Sequence, residues 1–173
     1  LICIENLSVE FRTEQGVVRA VDGISFDLKA GSTMGIVGES GSGKSVTALS
    51  IMGLIPSPPG RISSGVISFE QHGDLISLPE REMRNIRGNE IGMIFQEPMS
   101  SLNPVFTCGS QVAETIRQHR NISKKAARDL TLELFGEVRL PRPKEILRSY
   151  PHQLSGGQKQ RVMIAMAISC QPK

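Results

Sequence analysis

The sequence predicts an α/β fold with a strand-rich first part, a glycine loop opening a helix, and a helical region inserted before a last glycine-led helix. Three observations predict it. Strand patterns fall before residue 98. Helical patterns dominate from about residue 99 to residue 154. Between them, the apolar run Thr33–Val37 leads directly into a glycine-rich loop and a helix-like stretch, the order expected of an α/β unit.

The elements follow in order. Val17–Val21 and Ile24–Leu28 read as strands, and alternation places Ile24, Phe26 and Leu28 on one face. Thr33–Val37 reads as a short buried strand, and a helix runs from Lys44 to about Met52. Pro56–Gly60 is a stiff turn before a strand at Gly65–Phe69, and Ile91–Phe95 supplies a core strand. Glu97–Pro104 holds two prolines and an Asn-Pro pair, so it is a loop, either a plain linker or a functional surface. A weakly periodic helix contains Val112 and Ile116. Ser123 can cap the next, with Ala126, Ala127, Leu130 and Leu134 on one face. Pro141 and Pro143 end it, and Glu145–Ser149 forms a short third piece. From Gln158 to Ile168 a helix presents Val162, Ala165 and Ser169 on one face. Met163, Ile164 and Met166 cover much of the rest, a pattern of burial.

The loop Gly38-Glu39-Ser40-Gly41-Ser42-Gly43-Lys44-Ser45 fits G-x-x-x-x-G-K-[ST]. Glycines let backbone N–H groups turn inward with no Cβ in the way of phosphates. The helix start adds free N–H donors and partial positive charge. Lys44 reaches β- and γ-phosphates, and Ser45 offers a hydroxyl to Mg²⁺. A flexible Gly-Ser turn is the competing reading. A second motif, Leu154-Ser155-Gly156-Gly157-Gln158, places Ser155 as an N-cap and makes a fixed helix start an anion site. Alone it is equally well a capped helix. Both loops of one chain do not easily reach one nucleotide, so the second is expected to serve a partner's nucleotide.

GESGSGKS, MIFQEP and LSGGQKQRV, in that order, resemble the ATP-binding cassette (ABC) ATPases over essentially the whole chain. IPSPPGRISSG, IRGNEIGMIFQEPMSSLNP and YPHQLSGGQKQRVMIAMAIS are similar to the bacterial dipeptide, oligopeptide and nickel importer ATPases. The resemblance implies a P-loop NTPase core with an N-terminal antiparallel β-subdomain. It divides the chain into 1–98 (β-subdomain and core), 99–154 (helical subdomain) and 155–173 (signature motif and helix). It implies ATP and Mg²⁺ bound by Phe11, Gly38 to Ser45, Val46 and Gln96. Phe11 would stack on adenine, or else is a core residue of the first strands. Gln96 would contact Mg²⁺ and the attacking water and, with Lys44, be catalytic, although a polar residue after a strand is the plainer alternative. Leu154 to Gln158 would face the ATP of a partner subunit. In the family, an apolar strand ending in Asp-Glu and a loop histidine follow the point where this chain ends. The chain is therefore expected to be a fragment cut before Walker B, able to bind ATP without turning it over.

The implied function is the energising subunit of an importer for peptides, nickel or glutathione, on the cytoplasmic face of a bacterial inner membrane. Its partners would be a second ATPase subunit, two membrane permeases and, indirectly, an extracytoplasmic binding protein. A soluble ABC ATPase of translation or DNA repair, a P-loop kinase and a non-catalytic nucleotide-binding module are the alternatives. Composition narrows the field. The 173 residues suffice for one core domain, and a net charge of +3 is too small to argue for nucleic acid. No apolar run reaches membrane-spanning length. Cys3, Cys108 and Cys170 are widely spaced and odd in number, and His72, His119 and His152 have no ligand-like spacing, so no zinc site is expected. Basic residues gather in the helical region, among them Lys124, Lys125, Arg128 and Arg148. They form a solvated face or a contact for a membrane subunit or anionic lipid.

Overall fold

A computed structural model describes residues 1–96 and 101–173. The chain divides into two compact units, Leu1–Met83 and Arg84–Lys173.

The first unit is a four-stranded antiparallel sheet with one helix. Strands β1 (Ile2–Thr13), β2 (Gly16–Leu28), β3 (Gly60–Phe69) and β4 (Gly73–Asp74) lie in the order β2-β1-β3-β4. The two patterns Val17–Val21 and Ile24–Leu28 form one strand, and Ile24, Phe26 and Leu28 are indeed the half-buried positions of its second half. The sequence reading names no element over Ile2–Thr13 because alternation fails there. Asn6 adopts φ 50°, and the register with both neighbours shifts at this point. Ile4, Leu7 and Val9 therefore all face the core. The bulge presses on β3 at Gly65, where φ is 103° and a Cβ would lie 2.5 Å from Leu7 Cα. Helix α1 (Lys44–Ile51) follows the glycine loop.

Thr33–Val37 departs from expectation. It carries no strand pairing, and Val37 is 95% exposed. An apolar run becomes a strand only where a neighbour completes its ladder, and none does so among the described residues.

Helix α2 (Glu80–Ile86) crosses the division between the units. The second unit is otherwise helical: α3 (Cys108–His119), α4 (Lys124–Glu137), α5 (Pro143–Ile146) and α6 (Gly156–Ile168). Its core gathers Val112, Ile116, Phe135, Leu140, Val162 and Ala165. Ser123 caps α4 as expected, accepting from the Ala126 N–H at 3.1 Å. The buried face of α4 is rotated from the expected one. Ala126 is exposed, and Thr131 and Phe135 are buried beside Ala127 and Leu134. Phe135 buries more apolar surface than Ala126, and Thr131 satisfies its hydroxyl on Ala127 O at 2.7 Å. The short third piece begins and ends earlier than expected, because proline at the first position favours helix initiation.

The expected core strand Ile91–Phe95 is also absent. A single bridge joins Arg87 to Ile91, and Ile94 and Phe95 remain exposed. Gly92 instead abuts the end of α6, where a Cβ would lie 2.7 Å from Ala167 O.

Candidate nucleotide site in two halves

The first half-site belongs to the first unit. Gly41 and Gly43 take φ values of 84° and 90°, the left-handed conformation that favours glycine. Gly43 is the N-cap of α1, and its carbonyl accepts from the Thr47 N–H at 2.8 Å and the Thr47 hydroxyl at 3.0 Å. A Cβ on Gly43 would collide with Ala20 O of β2. The loop is thus seated against the sheet. Gly38 is equally constrained, since a Cβ there would lie 2.6 Å from Ser42 Oγ.

Within this loop Lys44 Nζ donates to Gly38 O at 2.7 Å, Glu39 O at 2.6 Å and Ser42 Oγ at 3.2 Å. The ammonium is held at the mouth of the loop, where phosphate oxygens can take the place of those acceptors. Residues Glu39, Ser40, Gly41, Ser42 and Ser45 are exposed, and Val46 is half-buried. The Ser45 hydroxyl has no hydrogen-bond partner among the described residues.

Phe11 lies on β1, opposite Val18 of β2 and Gly60 of β3. Its ring overlies Gly60, where a Cβ would lie 2.7 Å from Phe11 Cε1. The residue stays partly exposed. Val18 and Ala20 both belong to β2, so the strand that borders Phe11 also borders Gly43.

The second half-site belongs to the second unit. Ser155 and Gln158 form a reciprocal capping box at the start of α6. The Ser155 N–H donates to Gln158 Oε1 at 2.9 Å, and the Gln158 N–H donates to Ser155 Oγ at 3.4 Å. Leu154 is buried and anchors the turn. Gly156 and Gly157 are exposed, neither has positive φ, and a Cβ on either would meet nothing. Glycine in a helix costs roughly 1 kcal/mol relative to alanine. No contact among the described residues requires glycine at either position. Gln96 is exposed at the edge of the described residues, and the expected loop Glu97–Ser100 lies outside them.

Phe11 and the glycine loop Gly38–Ser45 lie in the first unit, and Gln96 and Leu154–Gln158 lie in the second. Two contributors were missed. Gln111 ties down the segment after the loop, its amide donating to Asn103 O at 2.9 Å and Phe106 O at 3.1 Å. Arg161 donates to Val138 O at 2.7 Å and Arg139 O at 3.0 Å, which satisfies the end of α4. An amide on a buried helix face and an arginine one turn after a glycine start were the available signals. Cys108 is fully buried, and burial pushes its thiol up to about 11, so it stays neutral. Among the described residues no cluster of three or more His, Cys, Asp or Glu could hold a metal.

The ABC transporter family pattern matches residues 21–173. The chain belongs to the ABC transporter family. It is 50% identical over its whole length to the oligopeptide transport ATP-binding protein OppD of Bacillus subtilis, of which it covers 48%. It is 48% identical over 99% of its length to the glutathione import ATP-binding protein GsiA of Escherichia coli O1:K1, covering 28% of that protein. A bacterial ABC transporter cassette, MJ0796, solved as a dimer, superposes with a TM-score of 0.88 at 27% identity, over 99% of this chain and 71% of that one. The ABC chain described here therefore spans about half or less of the curated relatives it matches. The likeness to a solved cassette confirms the α/β expectation for the fold. No helix among the described residues of this ABC chain is long and apolar enough to cross a membrane.

Proposed function

We propose that this chain is the nucleotide-binding part of an ATPase subunit that drives import of peptides or a related small solute. The whole subunit would lie at the cytoplasmic face of the membrane, against two permease subunits and downstream of an extracytoplasmic binding protein. The division into 1–98, 99–154 and 155–173 is kept as the functional layout of the cassette.

The observation that carries the reading is the pair of half-sites. One is a phosphate loop with its lysine held at the mouth. The other is a capped helix start where Gly156 and Gly157 leave open space among the described residues. Two subunits facing head to tail would place Ser155 and Gly157 of one against the γ-phosphate held by Lys44 of the other. The likeness to OppD and GsiA supports the class of cargo.

Each residue then has a role. Lys44 exchanges its loop carbonyls for the β- and γ-phosphate oxygens, and N–H groups from Gly41 to Ser45 surround those phosphates. Phe11 stacks on adenine, a contact worth roughly 1–3 kcal/mol by analogy with base stacking. Ser45 offers an exposed hydroxyl oxygen and Gln96 an exposed amide oxygen, each an uncharged donor of the kind a hard cation takes. Mg²⁺, when bound, would supply charge neutralisation at the transferring phosphoryl group. Ser155 and the first N–H groups of α6 complete the donor set from the opposite side.

The test is Ser155→Arg in the full-length subunit. ATP binding should persist, because the phosphate loop is untouched, and steady-state turnover should disappear. Turnover at the parental rate in this variant overturns the two-sided site.

A further inference from the structure

The second unit holds a cavity of about 410 Å³ that is unrelated to either half-site. The first turn of α3, the start of α4 and the segment after α5 surround it. Lys124, Arg128 and Arg148 stand at its rim, Ala113 and Leu147 give it apolar walls, and no carboxylate lines it. None of the three cations makes an ion pair or a side-chain hydrogen bond among the described residues.

The helices make this arrangement more costly. Lys124 and Lys125 open α4, whose first turn has no acidic residue, so two positive side chains occupy the positive end of a helix dipole. The N-terminal end of α3 faces the same cavity. Its Cys108 N–H donates to Ser149 O at 2.8 Å, and the Ser110 and Gln111 N–H groups return to Thr107 O at 3.1 and 3.2 Å. The Gly109 N–H, also at the cavity, has no acceptor among the described residues. An adjoining cavity shares Arg128, Leu147 and Arg148 and carries Asp129 and Glu145, but Glu145 is paired with Arg142 at 3.2 Å. Local electrostatic rules broken without an internal gain mark functional positions.

We propose that this cavity binds a phosphate group carried on an apolar stem. Three cations and a free N–H match the several acceptor oxygens of a phosphate, and Arg128 and Arg148 offer planar forks for it. Ala113 and Leu147 accommodate the carbon that bears it. The source is an anionic phospholipid headgroup or a soluble phosphorylated small molecule.

The experiment uses the whole chain with Lys44→Ala, which silences the phosphate loop. Phenyl phosphate is titrated while the Gly109 amide is followed by NMR, and sedimentation is measured with phosphatidylcholine vesicles with and without phosphatidylglycerol. A saturable Gly109 shift assigns a soluble source, and sedimentation only with phosphatidylglycerol assigns a lipid source. In either case Arg128→Gln with Arg148→Gln should weaken binding about tenfold or more, while Arg128→Lys with Arg148→Lys retains most of it. Lys124→Gln, at an exposed position, gives the same direction with a smaller change. The absence of both signals, or equal binding by the glutamine variant, overturns the proposal.

Discussion

Gly43 and Gly157 both lie in glycine-rich motifs, yet they are glycine for opposite reasons. Gly43 has φ 90° and no room, with Ala20 O where a Cβ would be. Gly157 has ordinary helical backbone and open space. Gly43→Ala should therefore destabilise the first unit, by about 1–2 kcal/mol for the left-handed backbone and a further ~1–3 kcal/mol for overpacking. Gly157→Ala should leave the fold intact or stabilise it by up to about 1 kcal/mol. In the full-length subunit Gly157→Ala should still lower turnover roughly tenfold or more, a barrier increase of about 1.4 kcal/mol. Urea unfolding of both variants, beside ATPase rates, checks the pair. A Gly157→Ala protein that loses stability would make that glycine structural. The sequence marks both positions as glycine but does not distinguish them. The difference lies in what approaches each from elsewhere, Ala20 in one case and nothing among the described residues in the other.

At the scale of elements, the ends of helices were readable and their faces less so. A cap is a local bond between neighbours in sequence. Ser123 and Ser155 could be named from their positions alone, and both bond as expected, Ser155 within a reciprocal box with Gln158. The face of α4 depends on which side chains the other helices leave room for. Ala126, read as a core position, is therefore exposed, and Phe135, which the periodic reading did not place, is buried. The bulge at Asn6 hid β1 for a related reason, since two exposed residues in a row, Glu5 and Asn6 between Ile4 and Leu7, defeat a test for alternation. Ser123→Ala should remove a single bond to the Ala126 N–H and destabilise the helical unit by about 1 kcal/mol. Ser123→Asp should restore it, because aspartate caps equally well and adds negative charge at the positive end of α4. Chemical denaturation followed by far-ultraviolet circular dichroism reads both. Equal midpoints for Ser123→Ala and the parent would mean that Lys124 and its neighbours, rather than the cap, set the start of the helix.

At the scale of the whole molecule, the phosphate loop, the capped glycine motif and the division between strand-rich and helical sequence were accessible without coordinates, because each rests on local chemistry. The pairing of strands was not. Thr33–Val37 and Ile91–Phe95 have the composition of buried strands, but a strand also needs a neighbour, and no spacing rule within either segment says where that neighbour comes from. Both are unladdered here, with Val37 at 95% exposure, Ile94 at 50% and Phe95 at 45%. Each segment is uncharged, free of proline and rich in β-prone apolar residues, the composition that associates edge to edge when uncovered. The isolated 173-residue chain should therefore self-associate as its concentration rises, more strongly at high salt, where its net charge of +3 is screened. Val37→Lys combined with Ile94→Lys places a charge in each segment and should shift the onset of light scattering to higher concentration. Lys124→Arg, which keeps the net charge and is remote in sequence from both segments, should leave that onset unchanged. If the parent chain stays monodisperse at every concentration, or scatters identically with and without the two lysines, these segments are covered in solution by other parts of the chain.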